Sequence, residues 1–436
     1  MIPKKYPLAC GGTLSVCRTD KFKAGMLSVS LVLPIERERT WMTSLLLSVL
    51  RRGTEKYPTL AAINRQLDYL YGTELSIRNF YRGDCQIVGF SADLLGSAFL
   101  PDGEALAAEV LDVMHQILFC PLLDANGCLD TRYVESEKKQ QCDHIRALKN
   151  SPRGYASERC RSILYRNEPC GASVYGEIEA IERVTAEELT AHWRWLLSVL
   201  HLDCFYVGAE SAERIRAALD VTFGAVNPAV GKQEPPPLPT VVRTAEEIVQ
   251  TEETLAAGQS QLVLALRTGI TVLDPAYYAC MVANEMLGNS PISKLFVQVR
   301  ERLSLCYFCS SHYNSYKGTL LIHCGLDAKD REAAEEAILA QLRAMANGEF
   351  SREELLAAKQ SIQSAYRQLE DSPAALESFY FGRSLLGLKE TVESTRKRFG
   401  AVTREDVIAA VRGMTVDVVY FLRGTLAQKE DDDEDN

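Results

Sequence analysis

The chain has 436 residues, a net charge of −10, and 47% apolar against 24% charged residues. It is too long for one ordinary domain and apolar enough to bury a large core, so two or three domains are expected. An acidic chain without basic clustering argues against a nucleic-acid partner. No run approaches the roughly eighteen apolar residues of a spanning helix, which argues against a membrane role.

From the N-terminus, Met1-Ile-Pro-Lys-Lys-Tyr-Pro7 has positive charge but no apolar run behind it, so no secretory signal is expected. The 13 cysteines are odd in number and irregular in spacing, which predicts free thiols in a reducing cytoplasm. A strand is expected over 26–34, then helices over 40–52 and 60–71 and strands over 74–81 and 85–94. An amphipathic helix over 104–118 follows, and a strand over 201–208 closes the first half. Thr185 and Glu188 have capping-box spacing and open a helix.

Three consecutive prolines in Lys232–Thr240 predict an extended linker over 231–245, dividing domain 1–230 from domain 246–427. The second half repeats the first: a strand over 261–267, helices over 275–287 and 292–302, strands over 305–313 and 318–326, a helix over 331–345 and a closing strand over 416–422. This recurrence predicts a duplicated α+β unit. Cys306 and Cys309 form a Cys-x-x-Cys placed on the strand expected at 305–313. Residues three apart on a strand face opposite ways, which argues against a redox or zinc role there. The stretch 429–435 carries a net −5, and 428–436 reads as a disordered, solvating tail. Phe379-Tyr380-Phe381 and Trp193/Trp195 read as packing.

Several stretches resemble the insulinase/pitrilysin-like (inverzincin) metallopeptidases. The apolar helix ending in Arg51-Arg52-Gly53-Thr54 looks like the family's zinc helix, whose inverted motif is His-x-x-Glu-His. Asp20-Lys21-Phe22-Lys23 looks like the lead-in of a bacterial subgroup associated with aminopentanol modification of elongation factor P. Gly176…Ile181 followed by Thr185…Leu189 is similar to the Gly-x-x-x-x-Ile…Thr-x-x-x-Leu signature. Leu295-Phe296…Arg300-Glu301…Leu305-Cys306-Tyr307 matches the second-domain Leu-Phe-x-x-x-Arg-Glu-Lys-x-Gly-Leu-x-Tyr segment.

On that frame Ser44 and Ser48 occupy the histidine positions and Leu47 the glutamate position. Serine is a poor zinc ligand, and leucine cannot move a proton. The third ligand of active members, a glutamate, comes from a later helix that corresponds to 133–148 here; it falls on His144 if that helix is aligned on Glu137 and on Cys142 if aligned on Glu135. No intrinsic zinc or other cofactor is expected. Arg300 and Tyr307 match the family's substrate-holding arginine and tyrosine in type and spacing: one suits peptide carbonyls, the other a developing oxyanion.

The resemblance implies two homologous domains in a clam-shell, each an antiparallel sheet flanked by helices. It implies a zinc-free subunit that positions a peptide or unfolded polypeptide for a zinc-bearing homologous partner, as in the mitochondrial processing peptidase. The alternatives are a peptide-binding scaffold without proteolysis and a self-sufficient peptidase with another centre. A homodimer in isolation is left open.

Overall fold

The computed structural model describes residues 2–101, 106–199, 201–224 and 239–426. The acidic tail, most of the proline-rich linker and the start of the helix expected from 104 lie outside the described residues.

Two compact units divide the chain, and neither is contiguous in sequence. The first comprises Met1–Ile145, Ala172–Leu238 and Gln368–Val392; the second comprises Arg146–Gly171, Pro239–Arg367 and Glu393–Asn436. A single boundary in the linker does not express this exchange. The helix Pro152–Leu164, from the first half of the sequence, packs on the second unit's sheet, and Pro373–Leu385, from the second half, packs on the first unit's sheet.

In the first unit the strands are β1 (Lys4–Pro7), β2 (Thr13–Arg18), β3 (Ala24–Pro34), β4 (Leu75–Arg82), β5 (Cys85–Leu95) and β6 (Leu202–Gly208). Their spatial order is β1-β2-β6-β3-β5-β4. The second unit's strands are β7 (Val249–Leu255), β8 (Ser260–Arg267), β9 (Phe308–Asn314), β10 (Thr319–Leu326) and β11 (Thr415–Gly424), ordered β7-β11-β8-β10-β9. Apart from β1 the two orders match strand for strand, as the sequence recurrence predicts. Both sheets are mainly antiparallel, with one departure from the fully antiparallel expectation. β2 pairs with β6, and β7 with β11, in parallel. The chain between each pair contains several helices, which gives the long crossover that parallel neighbours require.

The central strands carry long apolar runs and are buried along most of their length; all eight residues of β8 are buried, Ser260, Gln261 and Arg267 included. Each sheet packs on helices around its own core, so fully burying each leucine or phenylalanine contributes about 1.5–3 kcal/mol. Phe379, Tyr380, Phe381 and Trp193 are buried, in keeping with the packing role expected of them.

Each exchanged helix carries or adjoins a buried carboxylate. In the second unit, Glu168 lies just beyond Pro152–Leu164. Its Oε1 accepts from Arg267 Nη1 at 2.7 Å, and its Oε2 lies 2.7 Å from Lys317 Nζ. Arg267 also donates to Asp417 Oδ2 at 2.6 Å, so two buried cations face two buried anions, with the more exposed Arg166 3.7 Å from Asp417 Oδ1. In the first unit, Glu377 of Pro373–Leu385 accepts from Ser28 Oγ at 2.8 Å and pairs with Arg78 at 2.9 Å.

Candidate functional site

The helix expected at 40–52 is observed as Thr40–Leu50. It is buried on several faces, because its leucines face the core while Thr43 and Ser44 are buried on other sides. The signature glycine bears directly on this helix. Gly176 has φ +79°, and a Cβ there would come within 2.6 Å of Trp41 Cγ, so a side chain cannot fit. The helix of the Thr185 motif, Ala186–Ser198, starts with both capping-box hydrogen bonds in place. It presents His192, whose Nε2 is 2.9 Å from Thr43 Oγ1.

Burial, reinforced by the Arg39 guanidinium, pushes the His192 imidazole down to about 4. Between that value and the ordinary 6.5, the unfolded chain takes up a proton that the folded chain refuses, so stability falls as pH decreases through this window. Thermal melts at pH 6.5 and 4.5 should show His192→Gln losing about 2–3 kcal/mol less than the parent protein over that drop. Parallel losses would show that His192 is not held neutral.

The positions corresponding to the metal motif hold a different constellation. Ser44 Oγ donates to Thr40 O at 3.2 Å and accepts from Asn79 Nδ2 at 2.8 Å. Gln86 Nε2 reaches Asn79 Oδ1 at 3.0 Å, Thr40 O at 3.1 Å and Ser44 Oγ at 3.4 Å. Ser48 donates back to Ser44 O at 3.4 Å, the helix-face bond typical of serine. Leu47 is 1% exposed and belongs to the core. Hydroxyls and amides that satisfy one another leave no set of ligands for zinc, and the leucine supplies no base. The donor set does not fit the metal, and among the described residues no group of three His, Cys, Asp or Glu side chains could hold one. Sequence reading did not single out Asn79 or Gln86; their only signal is amides on two strands that otherwise alternate with apolar residues.

On the helix Thr131–Ala147, Glu137 is buried and pairs with Arg52, at the end of the motif helix. Cys142 is buried, while His144 is exposed with its ring 4.3 Å from that of Tyr175. Neither joins a cluster of ligands.

Arg300 and Tyr307 both lie in the second unit. Arg300 falls in Leu295–Arg302, a stretch of π-helix rather than the α-helix expected over 292–302; Glu285–Asn289, which overlaps the end of the helix expected over 275–287, is also π-helical. Such widened turns recur at functional sites. The chain then passes through Ser304 at φ +52°, where the family segment has glycine. A side chain in this left-handed conformation costs about 1–2 kcal/mol. The turn delays β9 until Phe308, so Leu305, Cys306 and Tyr307 stand outside the strand that was expected from 305. Cys306 therefore lies off the strand whose alternation would set it opposite to Cys309, and the two thiols are within hydrogen-bonding reach.

Arg300 is exposed, with its guanidinium 4.7 Å from the Phe296 ring and 3.5 Å from the Glu301 carboxylate. Tyr307 is 44% exposed, and its hydroxyl donates to Asp327 Oδ1 at 3.0 Å. Both side chains are open to a ligand and pre-oriented by neighbours: a donor fork and a phenol on one short segment. This suits recognition of peptide carbonyls.

Residues 183–362 match the family model for the peptidase M16 inactive domain. The chain is 29% identical over 418 residues to the probable inactive metalloprotease YmfF of Bacillus subtilis (strain 168), covering 95% of this chain and 96% of that protein. It is 24% identical over 312 residues to the uncharacterized zinc protease YmxG of the same organism, covering 70% and 72%. In fold it is similar to a conserved protein from Enterococcus faecalis V583, with TM-score 0.89, 23% identity and coverage of 98% and 100%. It is also similar to a peptidase M16 inactive domain from Pseudomonas fluorescens, with TM-score 0.78, 18% identity and coverage of 98% and 100%. No helix among the described residues is long and apolar enough to cross a membrane.

Proposed function

Because this chain belongs to the insulinase-like peptidase M16 family in a form without the metal motif, we propose that it is the zinc-free subunit of a two-chain zinc peptidase. In this reading Arg300 and Tyr307 hold the backbone of a peptide while a homologous chain supplies the metal and the general base. The observation that carries the reading is the Ser44–Asn79–Gln86 network: the metal position is filled by a self-satisfied polar cluster. The Arg300/Tyr307 segment meanwhile keeps its residue types and its exposure. Bacillus subtilis encodes both an inactive and a zinc-protease relative, which supplies a natural model for such a pair.

Co-expression with a zinc-bearing homologue tests this. The two chains should co-elute, and peptide cleavage should require both. Arg300→Ala and Tyr307→Phe should each lower kcat about 10²–10³-fold with assembly unchanged, the scale expected for losing one transition-state donor. A homologue equally active alone, or variants that leave the rate unchanged, would contradict it. A scaffold without proteolysis is the second reading. It is favoured by the bond from Tyr307 to Asp327, which gives the phenol an internal role.

A further inference from the structure

Cys306, Cys309 and Cys324 meet beside the turn at Ser304. Cys309 of β9 and Cys324 of β10 are directly opposite across the antiparallel pair, and both are buried. Such opposite positions set the two strand thiols side by side on one face of the sheet. Cys306, outside the strand and only partly buried, has its sulfur in hydrogen-bonding reach of both other thiols. We infer that these three cysteines form a hydroperoxide-responsive thiol centre, in which Cys306 is the sulfur that reacts and one of the two strand cysteines closes a disulfide with it.

The electrostatics agree with this division of roles. Hydrogen bonds from Cys309 and then Cys324, with the Arg300 cation adding to them, pull the Cys306 thiol down to about 4. Cys309 is pushed up by its bond to Cys306, so it keeps its proton. Elsewhere burial pushes thiols upward, to about 11 for Cys17 and Cys85 and about 12 for Cys280. Cys306 therefore combines thiolate character with access, the pairing that governs reactivity.

In the first step the Cys306 thiolate attacks one oxygen of a hydroperoxide. The O–O bond breaks, and hydroxide or alkoxide leaves and takes a proton from water, so sulfur is oxidised to a sulfenic acid as the peroxide is reduced. In the second, the neighbouring thiol gives up its proton and attacks that sulfur. The S–O bond breaks, and water departs with the proton. An external thiol reverses the bond by exchange. The centre stands whether or not Arg300 and Tyr307 bind peptide.

The test exposes the full, reduced chain to equimolar hydrogen peroxide at neutral pH, blocks remaining thiols and maps disulfides after chymotryptic cleavage at Tyr307 and Phe308, which separates Cys306 from Cys309. The expected result is a reducible bond from Cys306 to Cys309 or Cys324 and a loss of about 2 Da per chain before blocking. Cys306→Ser should slow peroxide-dependent thiol loss at least about 10-fold. The double variant Cys309→Ser/Cys324→Ser should accumulate a dimedone-trapped sulfenic acid at Cys306. If that double variant does not fold, the wild-type map and Cys306→Ser still decide. Oxidation scattered over other cysteines, or a Cys306→Ser chain reacting at the wild-type rate, overturns the inference.

Discussion

Replacing Glu168 with alanine is expected to destabilise the second unit by about 3–5 kcal/mol, enough to unfold a marginal domain near physiological temperature. The physical cause is charge balance. Glu168, Arg267, Lys317 and Asp417 are all nearly inaccessible, with side-chain exposures of 3%, 3%, 1% and 6%. Removing one anion leaves two buried guanidinium and ammonium groups sharing a single carboxylate. Arg267 keeps Asp417 and donates to Leu164 O at 2.5 Å, but Lys317 loses the carboxylate beside its nitrogen. Because Glu168 comes from the first half of the sequence, its loss also releases the anchor that holds Pro152–Leu164 on β8 and β11. Glu168→Gln, which keeps shape and one acceptor, should cost distinctly less. Chemical denaturation of the two variants measures the difference; equal midpoints would show that the whole loss comes from the missing charge and that shape and the remaining acceptor contribute nothing.

The counterpart in the first unit is Glu377, 2% exposed against 8% for Arg78. Glu377→Ala should cost about 3–5 kcal/mol by stranding Arg78. Arg78 retains the Phe80 and Phe381 rings at 5.4 and 5.3 Å from its guanidinium, contacts worth about 0.5–2 kcal/mol and too weak to replace a carboxylate. The double variant Arg78→Leu/Glu377→Leu should recover much of the loss, because an apolar pair of similar volume needs no desolvation of charge. A double variant as unstable as Glu377→Ala would assign the role to Ser28 or to helix packing instead.

These two carboxylates also mark what the sequence did not express. The alternation and apolar runs of β3, β5, β8 and β10 were legible because a two-residue period and full burial leave a direct trace. The edge strands β1 and β7, and β2 beside β1, were not read: Lys4–Pro7 is four residues, and Val249–Leu255 is polar and half exposed. Exchange of helices between sequence halves rests on pairs such as Glu168 with Arg267, 99 residues apart, for which no local signal exists. The motif helix was legible through its ending and through Ser44, Leu47 and Ser48. The amides that fill its surroundings come from strands thirty or more residues on, and sequence gave no reason to bring them there. At the other segment, the register of Arg300 to Tyr307 was legible. The π-turns and the left-handed Ser304 were not, because neither carries a periodic signature, and that turn moves Cys306 off the strand and against Cys309.

Zinc quantified per chain, in the purified protein alone and in its complex with a zinc-bearing homologue, tests the central claim most directly. The account predicts no stoichiometric zinc on the isolated chain after incubation with the metal, and about one zinc per pair in the complex, lost when the homologue's His-x-x-Glu-His is mutated. Stoichiometric zinc on the isolated chain, accompanied by peptide cleavage that a chelator stops, would contradict it.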